Sequence, residues 1–373
     1  MITQHQFTEK IRQILAELFN SDSDILLKSS LLLQYINNKT RSANRGSKAR
    51  GSFANLYAIY ILVEDYLFKG YDKSSTYNSY PGATFTQLLK RQRELPFGSK
   101  LQNHALNHRM NEEFKKYFPK SDLTPILRDT STNRYWINEH LLIEEINGTR
   151  YNLAQSILTI IDEYVRTKVD AFEQFIETCN RILEFQAEDQ ETAQRFVASL
   201  LAPNVDARIF EIVSYSILKY HFHDQVVYFG FDIDQLEREN LKLYKTGRTN
   251  ANDGGIDFVM RPLGRFFQVT ETLDIRKYFL DIEKIEHYPI TFVIKSQEDI
   301  DVLRDKLLEA ATRQFPVRLI VDRYMSSIEE IINIPILIER FSDAVTQGHL
   351  ESILSEVIHQ SKVEFNYEES PER

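Results

Sequence analysis

One cysteine, Cys179, stands in 373 residues. An intramolecular disulfide is therefore impossible, as is a metal site built from several thiolates, and a reducing cytoplasm is the expected setting. No apolar run approaches the length that crosses a bilayer, so no membrane association is expected. The opening segment Met1–Lys10 lacks the basic-then-apolar order of a secretory signal, and export by that route is not expected. There is no internal repeat, no phosphate-cradling P-loop and no Gly-x-Ser-x-Gly elbow. Without an ATPase motif the chain is not a self-contained translocating enzyme. The histidines are scattered, and none forms the helical pair with a carboxylate that zinc hydrolases use; His221 and His223, flanking Phe222, sit at a helix end where cations suit the dipole.

What is present is enough for a globular protein of two domains, or one domain with a large extension, because 42% of the residues are hydrophobic. The net charge of −9 argues against a protein that merely coats nucleic acid, yet the charge is unevenly placed. From Ile25 to Val63 there is no Asp or Glu, while Lys39, Arg41, Arg45, Lys48 and Arg50 follow one another within a stretch rich in Asn, Ser and Gly. Such a loop supplies flexible donors for phosphates and, through Arg and Asn, for base edges, so Arg41, Arg45, Lys48 and Arg50 are the expected DNA contacts; a plain surface loop is the alternative. A second basic section, Lys90, Arg91, Arg93, Lys100, Arg109, Lys115 and Lys116, is interleaved with Phe97, Phe114 and Tyr117, and reads equally well as a solvated helix face. The segment Arg128–Trp136 reads as a polar loop anchored by Trp136, with base reading as the other option.

Apolar spacing predicts helices over Phe7–Phe19, Phe53–Phe68 and Leu153–Phe185, which makes residues 1–195 a mainly helical region. Beyond it, Asp253-Gly-Gly is a turn signal, since glycine accepts positive φ. The run that follows reads as a strand begun by Asp257, Pro262-Leu-Gly264 ends it, and Phe266–Thr270 supplies a hairpin partner. Alternation then puts Gln268 beside Asp257. Two oxygen-bearing side chains on adjacent strands can share a hard cation such as Mg2+, which keeps several waters and bridges to phosphate.

This pattern, Gly254-Gly-Ile-Asp257 followed by Gln268 on the next strand, resembles the PD-(D/E)xK nuclease superfamily, and within it the Mrr-like variants that read Asp, then Gln-x-Lys. The resemblance extends to a preceding helix carrying Phe210-Glu211, then a strand Gln225–Phe229, and after the hairpin a helix over 275–286, a strand Ile290–Lys295, a helix over 299–312 and a strand Val317–Asp322. It covers roughly residues 200–325. It implies an α/β nuclease core, a mixed central sheet flanked by helices, over 196–330. Beyond the resemblance, residues 331–373 read as two amphipathic helices within Ile331–His359 and a Glu-rich tail. The resemblance also implies Asp257 and Gln268 as metal ligands, with Glu211 as a further member of the site.

One position departs from the family pattern. Where the family has lysine this chain has Thr270, which cannot carry positive charge toward a phosphorus centre. Lys242, Lys245, Arg248 and Lys295 are the available substitutes. Of these, Lys245 is taken as the catalytic cation and Arg248 as a DNA contact. The function expected is a cytoplasmic, type II-like restriction endonuclease that cuts double-stranded DNA with Mg2+. It would act as a homodimer, because a symmetric site calls for a two-fold enzyme, with a cognate DNA methyltransferase encoded nearby. A repair or recombination nuclease of the same fold is the alternative within enzymes. A non-cleaving DNA-binding protein with a decayed site is the alternative outside them.

Overall fold

The computed structural model describes residues 3–41, 43, 49–73, 77–99, 101–184, 190–203, 205–246, 256–271 and 273–365, with 49–51, 184 and 190 described by backbone alone. The chain is a mixture of helix and sheet that divides into two compact units, residues 1–176 with Phe365, and residues 177–364.

The first unit is mainly helical. Helices Gln6–Phe19, Ala49–Phe68 and Ala154–Glu184 occupy the predicted periodic segments, the last running past this unit's end, and Leu31–Thr40 is a further helix that was not predicted. Ile11, Leu33, Leu62, Ile157 and Tyr164 are fully buried in one apolar cluster, as the 3.6-residue repeat requires. Small antiparallel pieces interrupt the helices. The polar segment around Asn133 is a hairpin, Ile126–Asp129 paired with Arg134–Ile137, and Trp136 is fixed by its Nε1–H donating to the Tyr80 carbonyl at 2.8 Å. That is the anchored turn and not an open loop.

In the second unit five strands form one mixed sheet, in the spatial order Ile328–Ile332, Ile290–Ile294, Arg265–Thr270, Phe258–Arg261, Lys242–Lys245. The strand Ile290–Ile294 is buried at every position and runs parallel to both neighbours, as its unbroken apolar sequence predicts. On the other side of Arg265–Thr270 the pairing is antiparallel: Phe258–Arg261 reaches it through a turn in which Gly264 takes φ +67 and donates its N–H to the Met260 carbonyl, and Lys242–Lys245 pairs antiparallel beyond. One face is covered by helices Ile275–Lys284 and Ile300–Gln314, through a cluster that includes Tyr278, Phe292 and Leu307. Tyr278 lies 4.2 Å from the Phe292 ring. The other face receives helix Ala207–His221, whose Tyr215 meets Phe258 at 5.2 Å, and helix Ile334–Thr346 packs beside it.

Four expectations need correction. Val317–Asp322 is no strand: Arg318–Ser326 is helical, burying Val321 alone and leaving Leu319 and Ile320 exposed, so the run fills no place in the sheet despite its alternation. The last strand of the sheet is Ile328–Ile332 instead, so the region from Ile331 opens with a strand end before its two helices, Ile334–Thr346 and Leu350–Phe365. Its apolar positions Ile328, Ile331 and Ile332 suit either structure, and the parallel ladder with Ile290–Val293 decides. The strand Val226–Phe229 forms, yet it pairs only with Glu237–Asn240 in a separate two-stranded sheet, and Lys242–Lys245 takes the edge place in the main one. Lastly, the strand carrying the aspartate begins at Phe258, which leaves Asp257 just ahead of it.

Candidate functional site

Helix Ala207–His221 starts where the Asp206 side chain accepts the Arg208 N–H at 2.9 Å, and this cap sets Glu211 one turn into the helix, against the sheet. Glu211 meets Lys245 there, Oε1 to Nζ, at 2.9 Å, with both side chains more than four-fifths covered. Lys245 is the last residue of the edge strand and stands opposite Phe258 in the ladder. The next rung holds Asp257.

Asp257 is fixed by three hydrogen bonds. Its N–H donates to the Phe267 carbonyl at 3.0 Å, its carbonyl accepts from Thr246 N–H at 3.1 Å, and its Oδ2 accepts from Val269 N–H at 2.7 Å. The carboxylate is thus pinned between two strands before any ligand arrives. Burial, and after it the negative charge of Glu211, push the Asp257 carboxyl up to about 7, against the opposing pull of the Val269 N–H, Lys277 and Lys245. Asp257 therefore feels Glu211 and Lys245 from one side of the sheet and Lys277, in the first turn of helix Ile275–Lys284, from the other.

A stability prediction follows from this placement. A carboxyl raised on folding keeps a proton that the unfolded chain has released, so its contribution is present below the ordinary carboxylate range and is lost as pH rises toward 7. In metal-free buffer the wild type should lose up to about 1.4 kcal/mol per pH unit across that window from this group. Asp257→Asn should flatten the loss. Chemical denaturation of both proteins at pH 4.5 to 7.5 measures it; equal slopes would place the raised group elsewhere.

The other expected site residues are distributed as follows. Gln268 is buried on the face of helix Ile275–Lys284, opposite Phe292, with Nε2 3.4 Å from the Val269 carbonyl and Oε1 without a hydrogen-bond partner. It therefore flanks Asp257 from the other side of the sheet from Glu211 and does not join the Glu211–Lys245 pair. Thr270 is buried on that same face, beneath helix Ile275–Lys284, so a lysine there would point into the packed layer. Lys295 is bound to Glu271 at 2.8 Å and to the Val205 carbonyl, and Lys242 lies at the far end of its strand opposite Arg261. Arg41 is exposed at the end of helix Leu31–Thr40; Arg45, Lys48, Arg248 and the Arg50 side chain lie outside the described residues. Of the second basic section, Arg91 is already held by both oxygens of Glu64, at 2.7 and 2.8 Å. Sequence reading missed Lys277. Its signal was the position of a predicted helix start directly after the strand carrying Gln268.

Among the described residues no group of three His, Cys, Asp or Glu side chains is placed to hold a metal ion. A hard cation here would have the Asp257 and Glu211 carboxylates and water for the rest, which fits the chemistry of magnesium better than that of zinc, while the partnerless Gln268 Oε1 lies across the sheet from Glu211. No protein-family model, curated protein or solved structure matches this chain.

Proposed function

We propose that the second unit is a PD-(D/E)xK-type nuclease core, and that the protein hydrolyses phosphodiester bonds of double-stranded DNA as a type II-like restriction endonuclease. The observation that carries the reading is the meeting of Glu211, Lys245 and Asp257, from a helix, a strand end and a strand start, at one end of a mixed sheet. Residues far apart in sequence rarely bring two carboxylates and an ammonium together at a sheet end without chemical use. The strand and helix order around it also supports the reading: helix, edge strand, hairpin, crossover helix, parallel strand.

In this site Asp257 and Glu211 would hold Mg2+. When bound, magnesium supplies charge neutralisation at the phosphate and a water more easily deprotonated than bulk water. The chain supplies the rest. Asp257 is oriented in advance by three bonds, which spares the ordering cost at the moment of reaction. Lys245 takes over the role of the family lysine from a different strand: its ammonium, held beside Glu211, faces charge that develops on the phosphoryl oxygens. Two copies acting across a symmetric site would cut both strands, and a partner methyltransferase would protect the host DNA.

Lys245 is the sharpest test of this assignment. Lys245→Ala should lower the cleavage rate by roughly 100-fold or more, the usual cost of removing one donor to a charged transition state. Lys245→Arg should restore part of it. Single-turnover cleavage at saturating protein is the measurement, and an unaltered rate in Lys245→Ala would return the lysine to a structural role.

A further inference from the structure

In the first unit a cavity of about 530 Å3 opens between helix Ala49–Phe68 and helix Phe85–Glu94. Its floor is apolar: Ile61, Ala83 and Leu88 are all buried. Its walls carry four charges, and each is matched within the wall. Arg91 is forked onto Glu64, and Lys69 is bonded to Asp65 at 2.9 Å, while Asp65 also accepts the Tyr80 hydroxyl. Phe68 stands at the mouth with 89% of its surface in water, among the most exposed large apolar side chains of the protein. Gln87 accepts the Thr84 hydroxyl on its amide oxygen at 2.7 Å, which leaves its NH2 group as a donor toward the opening.

These features select against most ligand classes. A phosphate or carboxylate would find both cations already neutralised, and an amine would find both carboxylates engaged, so a charged ligand would have to break an ion pair to enter. A flexible aliphatic chain would cover the apolar floor but bring no acceptor for the Gln87 NH2. A flat, uncharged ring enters without breaking either ion pair: the apolar floor and the exposed Phe68 ring meet its faces, Asp65 Oδ1, which neither Lys69 nor Tyr80 uses, can accept one N–H, and the Gln87 NH2 can donate to a carbonyl. We propose that this cavity binds a neutral planar heterocycle of nucleobase chemistry, as a free nucleoside or as a base turned out of a duplex. The second source rests on the DNA reading above; the site itself does not. Extruding a base costs a few kcal/mol of unstacking, and stacking on an exposed aromatic ring recovers part of that.

The protein carries its own reporter, because its single tryptophan, Trp136, packs against Gly82, next to the cavity residue Ala83. Titration of the full chain with adenosine, guanosine, cytidine and thymidine should give a saturable change in Trp136 fluorescence for at least one of them. That affinity should hold between 50 and roughly 500 mM salt, since no phosphate contact contributes. Phe68→Ala, at an exposed position, should weaken it about tenfold. No saturable change with any nucleoside, or equal affinity in Phe68→Ala, overturns the site. A duplex carrying 2-aminopurine separates the sources: a fluorescence rise in wild type that Phe68→Ala loses, with anisotropy showing the DNA still bound, assigns a base within DNA. Nucleoside saturation without that rise assigns the free nucleoside. Failure to bind DNA counts against the nuclease reading alone and leaves the nucleoside titration to decide the cavity.

Discussion

Asp257→Ala should abolish DNA cleavage, by about 1000-fold or more, while leaving DNA affinity within a few-fold of wild type. The reasoning rests on what the side chain does. Asp257 is the carboxylate fixed most firmly at the proposed site, by its N–H donating to Phe267 and by bonds accepted from Thr246 and Val269, and its charge is set against Glu211. Removing it deletes a metal ligand and leaves Glu211 as the remaining carboxylate, already paired with Lys245 at 2.9 Å. The DNA contacts expected from the basic segment around Arg41 belong to the other unit and are untouched. Removing a buried negative charge also relieves repulsion, so tighter DNA binding is consistent with the assignment. Cleavage and anisotropy measured on the same preparations test it, and full activity in Asp257→Ala would end the nuclease-site assignment.

Phe292→Ala should cost about 3–5 kcal/mol of stability, the range for deleting a fully buried aromatic side chain. Phe292 sits on the interior strand Ile290–Ile294 with no exposure, opposite Gln268, and packs on Tyr278 at 4.2 Å. Its loss opens a cavity between sheet and helix that backbone on both sides is too well tied to fill. The same helix carries Lys277, so activity should fall with stability even though Phe292 touches none of the charged residues. Urea denaturation gives the number. A loss under about 1 kcal/mol would mean that this layer is not the core of the second unit.

Much of this was legible in the sequence because the signals were local. The helices of the first unit follow apolar repeats, and the hairpin around Gly264 follows from a turn signal between two apolar runs. Lys245 could be picked out as one of four cations, although only the ladder placing it opposite Phe258 separates it from Lys242 and Lys295. What was not legible depends on partners distant in the chain. Arg318–Ser326 and Ile328–Ile332 exchange strand and helix relative to expectation because short apolar runs fit both, and only the parallel pairing with Ile290–Val293 chooses. Val226–Phe229 has strand composition, and nothing in it tells that it pairs aside from the main sheet. Gln268 was expected beside Asp257 on alternation alone. Gln268 does lie beside Asp257, which bonds to Phe267 and Val269 on either side of it, but its side chain shares the face of Phe292 and so stands across the sheet from Glu211, which alternation could not show.

The most direct measurement is incubation of the wild-type chain with mixed-sequence duplex DNA in magnesium, followed by separation of the products. The account predicts discrete fragments that require magnesium and vanish with a chelator. Intact DNA at every magnesium concentration, from a protein shown to be folded and bound to that DNA, would contradict it.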